Sequence, residues 1–136
     1  MTNIYIPIIH KSEFPDIGYY EISNGIVKES TISMAGHFGN CITLDLGVKS
    51  SCGWSCSFLS MRNFTKHIGF ICKALIEVID KDCTDDNIDF AKLKGMPCRL
   101  VSDKTRVIGI GNYMEDRWLL EANVIDWIKK TEGYNN

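Results

Sequence analysis

Long apolar runs are missing from this chain. Stretches such as Ile4–Ile9, with Pro7 inside, fall far short of the ~20 residues a membrane-spanning helix needs. A basic segment followed by a hydrophobic core, the mark of a secretory leader, is also missing, so a cytoplasmic location is expected. An excess of charge of one sign is lacking too. The net charge of -2 argues against a dedicated duplex-binding protein, which needs a strongly basic face, but leaves room for a local cationic pocket. Internal repeats, linkers and low-complexity segments are absent, and 136 residues fit one domain with a real core.

Metal and catalytic signatures are equally scarce. Cys52 and Cys56 stand four apart, a spacing zinc ligands can use, but a structural zinc wants a second local pair. On a strand the two would lie about 13 Å apart, at roughly 3.3 Å per residue. The other thiols, Cys41, Cys72, Cys83 and Cys98, are expected to be reduced in the absence of an export signal, with Cys72 and Cys98 as small core residues. His37 or His67 beside a thiol has no local signature to support a nucleophile–base pair. Asp82, Asp85, Asp86 and Asp89 lack the glycine and final glutamate of a calcium loop. Gly109-Ile110-Gly111 has no third glycine and no clear following helix, so it is weak as a dinucleotide fingerprint and better suits a bend or a close approach. No metal or cofactor is expected.

What is present is a change of period. Residues 3–9 are β-rich, but Pro7 demotes them to an edge strand or arm, with the arm region spanning residues 1–15. Tyr19–Ile22 and Ile26–Met34 predict two strands folded about Asn24-Gly25, a strong hairpin dipeptide. Cys41–Leu46 and Trp54–Leu59 predict two more, with Gly47–Gly53 as a loop between them. From Asn63 the apolar positions Phe64, Ile68, Ile71, Cys72, Leu75, Ile76 and Ile79 fall on one helical face. An acidic connection spans Asp80–Asp89. Phe90–Lys94 predicts a single turn ended by Gly95. Cys98–Val101 and Arg106–Ile110 predict strands around a Ser-Asp-Lys-Thr turn. Glu121–Lys130 predicts a helix with Val124, Ile125 and Ile128 inward, and residues 131–136 a frayed tail. The expected class is α+β: a mostly antiparallel sheet covered by one long amphipathic helix.

Chemistry-bearing residues gather in the last third. The chain has four arginines: Arg62, Arg99, Arg106 and Arg117. Arginine forks onto phosphate and stacks on aromatic planes. Arg99 follows the Gly95-Met96-Pro97 corner, and Arg117 lies between Asp116 and Trp118. Phe90 and Trp54 are candidate stacking planes for a base, and Asn112 would project from a strand end. The plainer alternative makes Phe90 and Trp118 core residues and pairs Arg117 with Asp116 or Glu115.

Four segments carry a family resemblance: Phe90-Ala91-Lys92-Leu93-Lys94-Gly95, Pro97-Cys98-Arg99, Ile108-Gly109 and Glu115-Asp116-Arg117-Trp118. Together with a preceding strand, turn and helix (Cys41–Phe58, Asn63–Asp80), they resemble the Thoeris anti-defence sponges, small phage proteins that sequester cyclic ADP-ribose isomers without cleaving them. Where a Gly-rich turn is expected, this chain has Ser50-Ser51-Cys52-Gly53-Trp54-Ser55. The resemblance implies a homo-oligomer, dimeric or higher, in the host-cell cytoplasm. It also implies a pocket at the subunit edge, with Phe90 on the adenine and Arg117 on the diphosphate; relatives can also bind cyclic oligonucleotides at a second site, a property the resemblance leaves open for this chain. Arg99, Asn112 and Trp54 are candidates from local chemistry alone. Two rivals stand beside this reading: an anti-CRISPR-like inhibitor acting through a surface such as Asp80–Asp89, and a small cyclic-nucleotide phosphodiesterase using His37 or His67.

Overall fold

The computed structural model describes residues 6–35, 41–62, 68–80 and 90–131. The expected loop with His37, the helix start with His67, the acidic stretch 81–89 and the tail 132–136 lie outside the described residues. In chain order the elements are β1 Glu21–Ala35, β2 Cys41–Ser50, β3 Ser55–Arg62, α1 Ile68–Ile79, a 3-10 turn Phe90–Leu93, β4 Pro97–Ser102, β5 Val107–Gly111, β6 Trp118–Leu120 and α2 Glu121–Thr131. The strands form one antiparallel sheet in the order β3-β2-β1-β4-β5-β6. It curls, so that β3 approaches β5 although three strands separate them in the sheet. The α+β class holds. The covering layer is two helices of 12 and 11 described residues rather than one long one.

Each face of the sheet has its own apolar cluster. Inside the curl, Leu44, Leu46, Phe58, Leu100 and Ile110 meet Ile71, Leu75 and Val78 of α1 and Val124, Trp127 and Ile128 of α2. Outside it, Val101, Trp118 and Leu120 are covered by Ile9, Phe14 and Ile17 of the N-terminal arm. Alternation along a strand places neighbouring residues on opposite faces. Thus Leu100 enters the inner cluster and Val101 the outer one.

Three expectations need correction. Asn24-Gly25 does not turn: β1 runs straight through it for 15 residues. Gly25 pairs with Ser50 on one side and Cys98 on the other. A side chain there would begin 2.7 Å from the Lys49 carbonyl and 2.8 Å from Leu100. Ladders on both edges override the local turn preference, and the glycine serves a close approach instead. Second, the expected loop at Gly47–Gly53 is shorter, because β2 continues to Ser50 and the chain reverses at Gly53, where φ is +103°. Third, Ile125 is 40% exposed and Trp127 takes the inward position on α2. Strand β6 carries three buried residues and no polar partner for alternation, so its short apolar run has no strand period.

Replacing Gly25 by Asn distinguishes the two geometries. A hairpin turn accepts Asn, whereas the paired strand should lose about 1–3 kcal/mol through overpacking. Urea unfolding of Gly25→Asn and Gly25→Ala measures this, with both variants expected to be destabilised.

Candidate functional site

The loop between β5 and β6 gathers three of the sequence candidates. Asn112 is buried, and its Nδ2 donates to the Val78 carbonyl at 2.8 Å, with the Ile79 carbonyl 3.5 Å away. Its Oδ1 accepts from the backbone N–H of Met114 and of Glu115, both at 2.9 Å. The Arg117 guanidinium donates to the Glu77 carbonyl at 2.7 Å. These carbonyls close α1, where a helix has no backbone donors left of its own. A cation there also meets the negative end of the helix dipole. Arg99 Nε donates to the Asn112 carbonyl at 2.7 Å, and its guanidinium lies 4.4 Å from the centroid of a Trp118 ring.

Trp118 is seated from every side. Its backbone exchanges hydrogen bonds of 3.1 and 2.9 Å with Ile9. Phe14 meets its ring edge-on at 5.6 Å. Its indole N–H donates to Asp116 at 2.7 Å, and the same carboxylate accepts from the Lys11 N–H at 2.8 Å. These two donors hold the Asp116 carboxyl below the usual range, the Lys11 N–H contributing most. The Gly-x-Gly segment makes the seat: a Cβ on Gly111 would lie 2.2 Å from the Trp118 ring, and one on Gly109 would lie 2.4 Å from Leu120.

Arg99, Asn112 and Arg117 are therefore brought together, their donors directed to backbone carbonyls and an indole face, while Arg117 Nε is buried with no hydrogen-bond partner among the described residues. Phe90 lies apart from them, 4% exposed in the inner cluster beside Leu93. Trp54 is elsewhere again, at the start of β3 and 39% exposed.

Trp54 borders a cleft of about 570 Å³ at one end of the curled sheet. Three chain segments wall it: Tyr19 and Glu21 leading into β1, Trp54 to Cys56 at the start of β3, and the turn Ser102–Arg106 between β4 and β5. Asp103 sets that turn. One carboxylate oxygen accepts from the N–H of Thr105 at 2.7 Å, the Thr105 hydroxyl at 2.9 Å and the N–H of Arg106 at 2.8 Å. The three donors, led by the Thr105 N–H, push the Asp103 carboxyl down. Lys104 projects from the fixed turn and places Nζ 5.3 Å from the Tyr19 ring centroid. Arg106 pairs with Glu121 at 2.6 Å. The Tyr19 hydroxyl donates to Glu21, and this bond raises the phenol above its usual value. Tyr19 is 54% exposed, so the cleft carries two open aromatic side chains, two cations and two carboxylates. A shallower groove of about 330 Å³, lined by Ile26, Pro97, Tyr113 and Lys49 among others, is mostly apolar.

Tyr19, Lys104 and Arg106 do not stand out as a set in the sequence. Their one local signal is the Asp-Lys-Thr-Arg turn between two strands, which leaves its cations at a tip. Their meeting with Trp54 depends on the curl of the sheet. No protein family, curated protein or solved structure matches this chain.

Removing the helix cap with Asn112→Ala leaves buried carbonyls and N–H groups unpaired and should cost about 1–3 kcal/mol in denaturant unfolding. The Asp116 carboxyl is lower in the folded state than in the unfolded chain. Its contribution is therefore present above the ordinary carboxylate value, about 4, and is lost as pH falls through the folded value. The stability advantage of wild type over Asp116→Asn should be full at neutral pH and shrink below about pH 4, as read by thermal melts across pH.

Proposed function

We propose that the chain binds and sequesters a small nucleotide signal in the Trp54–Arg106 cleft and leaves it chemically intact. One observation carries the reading: two exposed aromatic side chains, Tyr19 and Trp54, flank Lys104 and Arg106 in a single cleft of about 570 Å³. That volume falls within the usual range for small-molecule sites, roughly 300–1,000 Å³. Aromatic faces stack bases without regard to sequence, and a guanidinium forks onto phosphate. A cyclic ADP-ribose isomer is the ligand to which the family resemblance points, with anti-defence sequestration in the host cytoplasm as the role and a homo-oligomer as the working form. In this reading Tyr19 and Trp54 offer the stacking faces, and Lys104 and Arg106 the cations for the phosphate. Phe90, Arg99, Asn112 and Arg117 hold the fold around them.

A second reading rests on a different observation. The apolar groove beside Ile26, Pro97 and Tyr113 is open, and Met114 is 79% exposed. Large exposed apolar side chains mark protein interfaces when they form a patch, which favours an inhibitor acting on a host defence complex.

Incubation with cyclic ADP-ribose isomers, removal of free ligand, heat denaturation and mass spectrometry of the released molecule tests the proposal. Intact ligand is expected, and Trp54→Ala should weaken retention by about 1–3 kcal/mol, the worth of one base–aromatic stack. A hydrolysed product would make the protein an enzyme. No bound ligand would leave the protein-inhibitor reading in front.

A further inference from the structure

We propose that Lys104 acts as an internal occupant of the cleft, covering the Tyr19 ring until a ligand carrying both an aromatic ring and an anionic group takes its place. This rests on the cleft being the ligand site.

Three observations carry it. Lys104 Nζ stands over the Tyr19 ring at 5.3 Å, within the distance at which an ammonium is drawn to an aromatic face. The contact is tethered at both ends. The Tyr19 hydroxyl is tied to Glu21, and the backbone around Lys104 is set by the three hydrogen bonds to Asp103. The two cations also differ in commitment: Arg106 is paired with Glu121 at 2.6 Å, whereas Lys104 has no carboxylate partner among the described residues.

An aromatic ring stacking on the face of Tyr19 that Lys104 covers must displace the ammonium. The displaced ammonium stays tethered to the turn, within the same cleft, where an anionic group on the ligand can meet it. One contact is given up and two are made. A ring without an anion sends Lys104 to solvent, and an anion without a ring draws Lys104 off Tyr19 with nothing to replace it. The cleft therefore favours a mononucleotide-like molecule over either of its halves, and Lys104 sets that preference.

The probes are adenosine, adenosine 5′-monophosphate and inorganic phosphate, titrated calorimetrically at low salt against wild type, Lys104→Met and Lys104→Arg. Lys104→Met removes the charge while leaving an unbranched side chain one heavy atom shorter, it sits on an exposed turn, and a thermal melt checks that it folds. Wild type should bind the monophosphate best of the three. In Lys104→Met, adenosine should bind roughly 2–5-fold more tightly, the worth of an exposed cation–ring contact, while the monophosphate binds more weakly, so the preference collapses. Lys104→Arg should restore it. Loss of both ligands by the same factor in Lys104→Met, or no change in either, would overturn the exchange. Equal wild-type affinity for adenosine and its monophosphate would overturn it too while leaving the cleft as a binding site. Failure of wild type to bind any probe would remove the cleft reading and the exchange together.

Discussion

Helix α1 ends in four carbonyls for which a helix has no donors of its own, and most of this structure is organised by how they are satisfied. The N–H of Asp80 takes the Ile76 carbonyl at 2.7 Å. Arg117 takes Glu77, and Asn112 takes Val78 and leans toward Ile79. Two side chains from the β5–β6 loop thus pin the helix to the far edge of the sheet. The loop is in turn held by Arg99 from β4, which lies against Trp118. Buried polar groups left without partners are costly, so the pieces of this corner depend on one another. The arginines and the asparagine here are scaffold, tying the β5–β6 loop to β4 and to the end of α1.

The elements with a clear period were legible in the sequence. The apolar spacing of α1, the turn at Phe90 ended by Gly95 at φ +88°, and the strands on either side of the Asp103 turn are where local pattern puts them. The failures at Gly25, Gly109 and Gly111 share one cause, which is partners distant in sequence or on a neighbouring strand. Asn24-Gly25 carries a turn preference, yet β2 and β4 pair with it from both sides. Gly109 and Gly111 look like a fragment of a phosphate loop, yet they are bare backbone for Trp118 and Leu120 to lie on. A glycine required by a neighbouring side chain and one required by a turn read alike in a sequence.

The same limit applies to the candidate site. Arg99, Asn112 and Arg117 were singled out because arginine and asparagine near aromatics suit an anion, and the fold does gather them. It uses that chemistry on helix carbonyls, which offer the same kind of acceptor. Trp54 alone reaches an open cleft. Its companions Tyr19, Lys104 and Arg106 come from two other segments, 35 or more residues away in the chain, and meet it only because β3 curls toward β5. Turn chemistry was visible at Asp103, but nothing local to it announces an aromatic wall opposite.

The arm that crosses the outer face of the sheet has a consequence for how the chain is made. Lys11 is bonded to Asp116 over a separation of 105 residues, and Ile9 and Phe14 reach the same corner. Contacts so distant close late, because their loop entropy must be met before they contribute. On a ribosome, Ile9, Phe14 and Ile17 emerge about a hundred residues before β6 and stay uncovered until β6 has been synthesised. Apolar residues made early are thus among the last to find their place, so a newly made chain depends on the segment around β6 being completed before its arm is sheltered.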